Sequence, residues 1–235
     1  MKLLFYDLET TGLHAATCGI HQLAGAIAEY DEKSNSLKFL DNFNFKMQPH
    51  KGKRVYPSAL EVGGITMDMI QSYPEPNQVF NEFMSYLKKH VNKFDPDDKM
   101  FLVGFNNLHF DNEFLRQWFT DCGEKYYGSF FWSNSIDVMS EASRILLQLR
   151  PYMPNFKLAT VAKTLGMKVE DDSLHDGMYD IRLTAKIFID CMKNPQIRPL
   201  EGRNLGEMKQ AVMAYKEEQK KEAKKPKGQE SYVLF

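Results

Sequence analysis

The sequence predicts a layered α/β domain built on a mixed β-sheet. Short apolar runs that read as strands alternate with segments of helical period. Two early strands are joined by a link of hairpin composition, which makes part of the sheet antiparallel. The 235 residues are 43% hydrophobic and 26% charged, sufficient for a substantial core without disulfides or structural metals.

Residues 2–8 (KLLFYDL) form a short apolar run followed at once by the turn-prone TTG, the pattern of a buried strand. Residues 21–30 (HQLAGAIAEY) and 37–47 (LKFLDNFNFKM) read as two further strands around the link DEKSNS. Residues 48–76 read as mostly irregular, with four prolines and the pair Gly63-Gly64, and a short helix is placed after Thr66. In 77–90, Val79, Phe80, Phe83, Met84 and Leu87 recur at helical spacing. MFLVGF (100–105) is a strand, and 111–119 a helix with Phe114, Leu115 and Trp118 on one face. A short strand is expected at 135–138, then helices at 139–149, 157–165 and 176–192. Past about residue 200 the composition turns to Lys, Glu, Gln and Ala, a helix over 205–224 that KKPKGQE breaks. Residues 216–235 carry six Lys and four Glu, a net of +2 that leaves −3 for residues 1–215. The expected division is a domain at 1–200 and an extension at 201–235.

The net charge of −1 carries no general basic signature for a nucleic-acid partner. Cys18, Cys122 and Cys191 are odd in number and far apart, which suits reduced thiols in a cytoplasmic protein and argues against a zinc site. No run approaches the roughly 18 apolar residues that span a membrane. Asp7 and Glu9 interrupt the N-terminal apolar run too early for a signal peptide.

Four acids and one histidine concentrate the chemistry: Asp7 and Glu9 in FYDLETTGL, Asp111 in GFNNLHFD, and His175 with Asp180 in HDGMYD. Asp7 and Glu9, two apart at a strand end, share a face and can grip one ion. Carboxylates gathered at one point repel, and hard divalent cations such as magnesium or manganese relieve the repulsion. Two ions about 3.5–4 Å apart make the clamp that cuts phosphodiesters. Asp111, at a helix start, serves equally as an N-cap. His175 and Asp180 are about 140° apart on one helix, so His175 is placed in the preceding loop and Asp180 in the first turns. A histidine there suits a general base. Thr10, Thr11 and Gly12 offer hydroxyls and amides to a terminal nucleotide, with Leu13 set against a base; they also fit a plain turn. Asn107 bonds a phosphate or stabilises its own turn.

In order and with these intervening elements, the motifs resemble those of the DEDDh (DnaQ-like) 3′–5′ exonucleases. FYDLETTGL is similar to the first motif, NNLHFDNEFL to the second, and HDGMYD to the third, His-x-x-x-x-Asp. IHQLAGAIA, ALEVGGITMDMI, SIDVM and KLATVAKTLGM resemble further family segments, and the likeness spans residues 1–193. Gln22, where many members carry Glu, is set at the substrate, and Asn106 stands where His is common. The resemblance implies an RNase H-like mixed five-stranded sheet flanked by helices. It implies removal of nucleotides from a 3′ end, with Asp7, Glu9, Asp111 and Asp180 holding two Mg²⁺ (Mn²⁺ substituting) and Asp7 bridging them. His175 would deprotonate the attacking water. Single-stranded DNA 3′ ends are the expected substrate, in proofreading or end trimming, with RNA ends the alternative. Gln229, Tyr232 and Phe235 are spaced like a sliding-clamp-binding peptide, a tether to a clamp or DNA polymerase or else a frayed tail. Rival readings are a nucleic-acid-binding scaffold without turnover, and a glycosidase using Asp7 and Glu9, which needs no divalent ion.

Overall fold

The computed structural model describes residues 1–170, 174, 176–193 and 204–223. Five strands form one sheet in the order β3-β2-β1-β4-β5. At its centre is β1 (Lys2–Thr10). Both faces of β1 are covered, so its apolar residues run on without polar alternation. Leu4, Tyr6 and Leu8 enter one core layer and Leu3 and Phe5 the other. β2 (Ile20–Asp31) pairs antiparallel with β1, Asp7 facing Ala24 and Glu9 facing Gln22. β3 (Ser36–Lys46) continues the hairpin to the sheet edge. β4 (Phe101–Gly104) and the two-residue β5 (Ile136–Asp137) join in parallel on the other side of β1. The sheet is therefore mixed, as the early hairpin requires.

The side chains of β2 decide what can pack on each face. Leu23 and Ile27 enter one layer, with the Phe43 ring lying over Gly25 where any Cβ would stand 2.3 Å from it. Ala24, Ala26 and Ala28 face the other way, and these short side chains let a helix lie close to the sheet. The first layer is covered by α3 (Pro76–His90) and α4 (Asp111–Asp121). In α3 the buried residues are Pro76 and the five apolar positions that the spacing predicts. Proline at its start has no amide hydrogen to lose, and Lys88, Lys89 and His90 suit the negative end of its dipole. The second layer is covered by α5 (Val138–Ile145), α6 (Leu158–Thr164) and α7 (Gly177–Met192). Each fully buried Leu or Phe contributes about 1.5–3 kcal/mol.

The segment 48–76 contains two helices, α1 (Pro57–Val62) and α2 (Met67–Gln71). The second is the short helix expected after Thr66, whose hydroxyl accepts the Met69 N–H. The first has too few residues to display a period, so composition hides it. The helix expected over 139–149 stops at Ile145, although Leu146 and Leu149 remain buried. α8 (Leu205–Ala223) lays Val212, 3% exposed, into the second layer. Lys163 lies over the Tyr215 ring at 4.7 Å and Lys209 over Tyr152 at 5.2 Å. None of the three cysteines forms a disulfide among the described residues. Among the described residues, no helix is long and apolar enough to cross a membrane.

Candidate active site

The site lies at the C-terminal end of β1, where three elements deliver carboxylates. β1 itself supplies Asp7 and Glu9, both half-buried on the face that α7 covers. The β1–β2 ladder slips by a residue just beyond, Glu9 facing Gln22 but Thr10 facing Ile20. Such bulges end regular pairing and re-aim side chains next to functional sites.

Asp111 comes from the opposite layer. Pairing with β4 ends at Phe5 and Val103, so further along that edge β1 has no strand partner. The Leu8 N–H donates to Asp111 Oδ1 instead, at 3.1 Å. Asp111 is the first residue of α4 and Phe110 occupies the capping position, without a side-chain cap bond. Capping is therefore not what Asp111 does. Its charge sits at the positive end of the α4 dipole. The turn before it passes through Asn106 in the left-handed region (φ 66°), which asparagine tolerates better than most residues.

Asp180 lies in the first turn of α7, behind Asp176, whose side chain caps the helix by accepting the Tyr179 N–H at 2.9 Å. α7 approaches the sheet closely at β2, beside Asp7, because of Gly177. A Cβ there would stand 2.8 Å from the Ala24 Cβ, 3.7 Å from Gln22 Nε2 and 3.8 Å from Asp7 Oδ2. His175 lies outside the described residues.

The electrostatics tie these groups together. Burial raises the Asp7 carboxyl well above the usual range, and Asp111, Glu9 and Asp180 raise it further. Burial and then Asp180 push Glu9 up to about 7. Burial pushes Asp111 up to about 7 against the Leu8 N–H, which lowers it, with Glu9 and Asp137 adding to the rise. Among the described residues, no Lys, Arg or His forms an ion pair with Asp7, Glu9 or Asp111. The donor set is thus all oxygen and sheltered, and among the described residues no protein cation pairs with Asp7, Glu9 or Asp111, which fits hard divalent ions. The carboxylates ring the strand end without a ready-made cage: no three His, Cys, Asp or Glu among the described residues are gathered tightly enough to hold an ion as they stand.

The other predicted contacts divide. Leu13 is 70% exposed beside the site. Thr11 is fully buried, its hydroxyl donating to the Arg54 carbonyl at 2.6 Å and accepting the Gly19 N–H at 2.9 Å. Thr10 donates to the Gly12 carbonyl at 2.8 Å. A Cβ on Gly12 would meet Cys18 Sγ at 2.6 Å, so this loop has a packing reason for its glycine. Gln22 donates to Asn44 at 2.8 Å, and Asn107 is fully buried against Gly104. Leu108, Asn112, Arg116 and His14 line an adjoining cleft of about 560 Å³.

Three functional features escaped the sequence reading. Gly177 stands inside the third motif, where nothing local marks a glycine as required. Asp137, 4% exposed, caps α5. Asn112 accepts from the buried Tyr6 hydroxyl and donates to Ser135 at 2.8 Å. Only Asp137 had a usable signal, a cap residue at the start of a helical pattern.

A sheet of this order, covered by helices on both faces and with carboxylates at the central strand's end, defines an RNase H-like nuclease architecture. A model of the RNase T exonuclease family matches residues 4–188, and the chain belongs to that family. Members depend on divalent metal. The chain is 27% identical to the PolC-type DNA polymerase III of Bacillus cereus over 190 residues, covering 80% of this chain and 11% of that one. It is 26% identical over 195 residues to exodeoxyribonuclease I of Escherichia coli, covering 77% of this chain and 38% of that enzyme. The chain thus spans well under half the length of these relatives. The structure of E. coli exonuclease I with a dT13 oligonucleotide superposes with a TM-score of 0.64 at 22% identity, over 83% of this chain and 42% of that one, and shows the shared fold.

Proposed function

We propose that the protein is a 3′–5′ exodeoxyribonuclease that releases 5′-mononucleotides from single-stranded DNA ends. One observation carries this reading: Asp7 stands under the combined influence of Glu9, Asp111 and Asp180, brought from three elements to one strand end. Asp7, Glu9, Asp111 and Asp180 would hold two Mg²⁺, or Mn²⁺ in their place. Bound there, such a pair would activate the attacking water and stabilise the departing 3′ oxygen. His175 takes the proton from that water. The exposed Leu13 packs against the terminal base, and the cleft beside Leu108 and Arg116 receives the strand behind it. Thr10, Thr11, Gly12, Gln22 and Asn107 shape this end-binding surface, Thr11 and Asn107 from within. E. coli exonuclease I, seen with a DNA oligonucleotide, supports DNA as the substrate.

A product time course on 5′-labelled single-stranded DNA, RNA and mismatched duplex tests the reading. Single-stranded DNA should shorten from its 3′ end with magnesium and stay intact with chelator. Cleavage that persists under chelation would refute it, and faster loss of RNA would move the substrate assignment to RNA. Asp7→Ala should abolish mononucleotide release. His175→Ala should cut the rate by at least about 100-fold while end binding persists; full turnover would remove the base assignment.

We assign residues 1–200 to the nuclease domain and 201–235 to an extension, in a protein of the cytoplasm, which three cysteines without a disulfide among the described residues suit. Gln229, Tyr232 and Phe235, outside the described residues, would tether it to a sliding clamp. Deleting 229–235 should abolish clamp pull-down; unchanged capture would sink the tether.

A further inference from the structure

Asp111 rides on a turn held from both sides by one short segment, residues 135–137. Five residues before Asp111, the Asn106 N–H donates to Asp137 Oδ1 at 3.0 Å. That bond fixes a backbone turn in the left-handed region, where the chain has little preference of its own to stay. One residue after Asp111, the Asn112 amide donates to the Ser135 hydroxyl at 2.8 Å. The same Oδ1 of Asp137 accepts the Met139 N–H at 2.9 Å and the Ser140 N–H at 3.3 Å, capping α5.

The cap alone does not account for a carboxylate at this position. Serine or asparagine caps a helix as well, and burying a carboxyl group is costly unless it is fully hydrogen-bonded. Asp137 is 4% exposed, and its Oδ2 has no hydrogen-bond partner among the described residues. What a carboxylate or carboxamide adds over a hydroxyl is reach, enough for one oxygen to meet the Asn106 N–H while capping α5.

We propose that Asp137 is a positioning residue that sets Asp111 for divalent-ion binding through the turn at Asn106. This rests on the reading of Asp111 as a metal ligand. Partners that orient ligands from behind typically carry 10–100-fold in metal affinity or activity.

The test uses the full chain with Asp137→Ser, Asp137→Asn and Asp111→Asn. Three quantities are measured: melting temperature, Mn²⁺ affinity by the electron paramagnetic resonance of free ion, and rate on 5′-labelled single-stranded DNA against metal concentration. Asp137→Ser keeps a good cap for α5 but falls short of Asn106. It should melt close to wild type while Mn²⁺ affinity falls about 10–100-fold and the metal needed for half-maximal rate rises in step. Asp137→Asn should restore both, because its amide oxygen accepts the same three N–H groups. A folded Ser variant with wild-type Mn²⁺ affinity overturns the proposal. So does an Asn variant that melts like wild type and binds Mn²⁺ as poorly as the Ser variant. If the Ser variant does not fold, the Asn variant decides: wild-type Mn²⁺ affinity supports the proposal, and a loss at unchanged melting temperature overturns it. If Asp111→Asn binds Mn²⁺ like wild type, Asp111 is no ligand and both readings fall. If it loses Mn²⁺ while the folded Ser variant keeps it, only the role of Asp137 falls.

Discussion

At the scale of single residues, Gly177 shows how a site depends on the absence of a side chain. Its Cα lies over Ala24, and a Cβ at 2.8 Å from the Ala24 Cβ cannot be relieved by a flexible tip, because both atoms are fixed to backbone. Gly177→Ala should therefore lever the start of α7 away from β2 and from Asp7 beside it, and Asp180 rides on that turn. Overpacking of this kind costs about 1–3 kcal/mol, against which alanine's better helix propensity returns up to about 1 kcal/mol. A lowered melting temperature and at least a tenfold loss of exonuclease rate are expected. A variant with unchanged rate would show that the closeness of α7 to the sheet is incidental. The substitution Asp111 makes in the sheet, accepting the Leu8 N–H where β4 has ended, is the same kind of local solution: a buried backbone donor must be satisfied, and the group that satisfies it is thereby aimed.

Among the elements, α8 is the one whose place follows least from its own composition. It is rich in Lys and Glu, yet Val212 is buried against the second core layer and Tyr215 receives Lys163. Among the described residues, buried Val212 and half-buried Met208 with two ring contacts make a modest interface, so α8 should be separable. Val212→Asp places a charge in that layer and should free the helix, raising amide exchange over 205–223 while leaving exchange in β1 and β2 unchanged. Protection of α8 equal to wild type would mean that contacts other than Val212 hold it. The helices α3, α4 and α7, by contrast, each bury a row of apolar side chains and belong to the cooperative body of the fold.

For the whole molecule, the raised carboxyl groups link stability to pH and to metal. Glu9 and Asp111 have folded values of about 7, above their usual range near 4. Their stabilising contribution is complete below about pH 4 and is lost as pH rises through about 7. Asp41 and Asp98 act in the opposite sense. Lys89 lowers the first, and the Asn92 N–H with Lys2 lowers the second, so their contributions fade as pH falls. Comparing chelated and metal-loaded protein at each pH cancels those two. Divalent ions need the deprotonated carboxylates, so the metal-induced rise in melting temperature should be small at pH 5 and large at pH 8. A hundredfold excess over Kd supplies about 2.7 kcal/mol, roughly 5–10 °C for a domain of this size. A rise that is equal at both pH values, or larger at pH 5, would show that these carboxylates do not hold the ion.

The sequence by itself determined the α/β class, the mixed sheet and the order of its elements apart from α1, because strand and helix periods and turn residues are local properties. β1 to β3, α3 and α4 stand close to where those periods put them. It also singled out four acids whose motifs announce an exonuclease. The tertiary structure alone decided how they come together: the loss of β4 pairing beyond Phe5 that draws Asp111 to Leu8, the contact of Gly177 with Ala24 that lowers α7 onto the sheet, and the Asp137 bond to Asn106. Each joins residues 31 to 153 positions apart in the chain. No local pattern encodes such contacts, since they exist only once the sheet and its covering helices have fixed the distances between them.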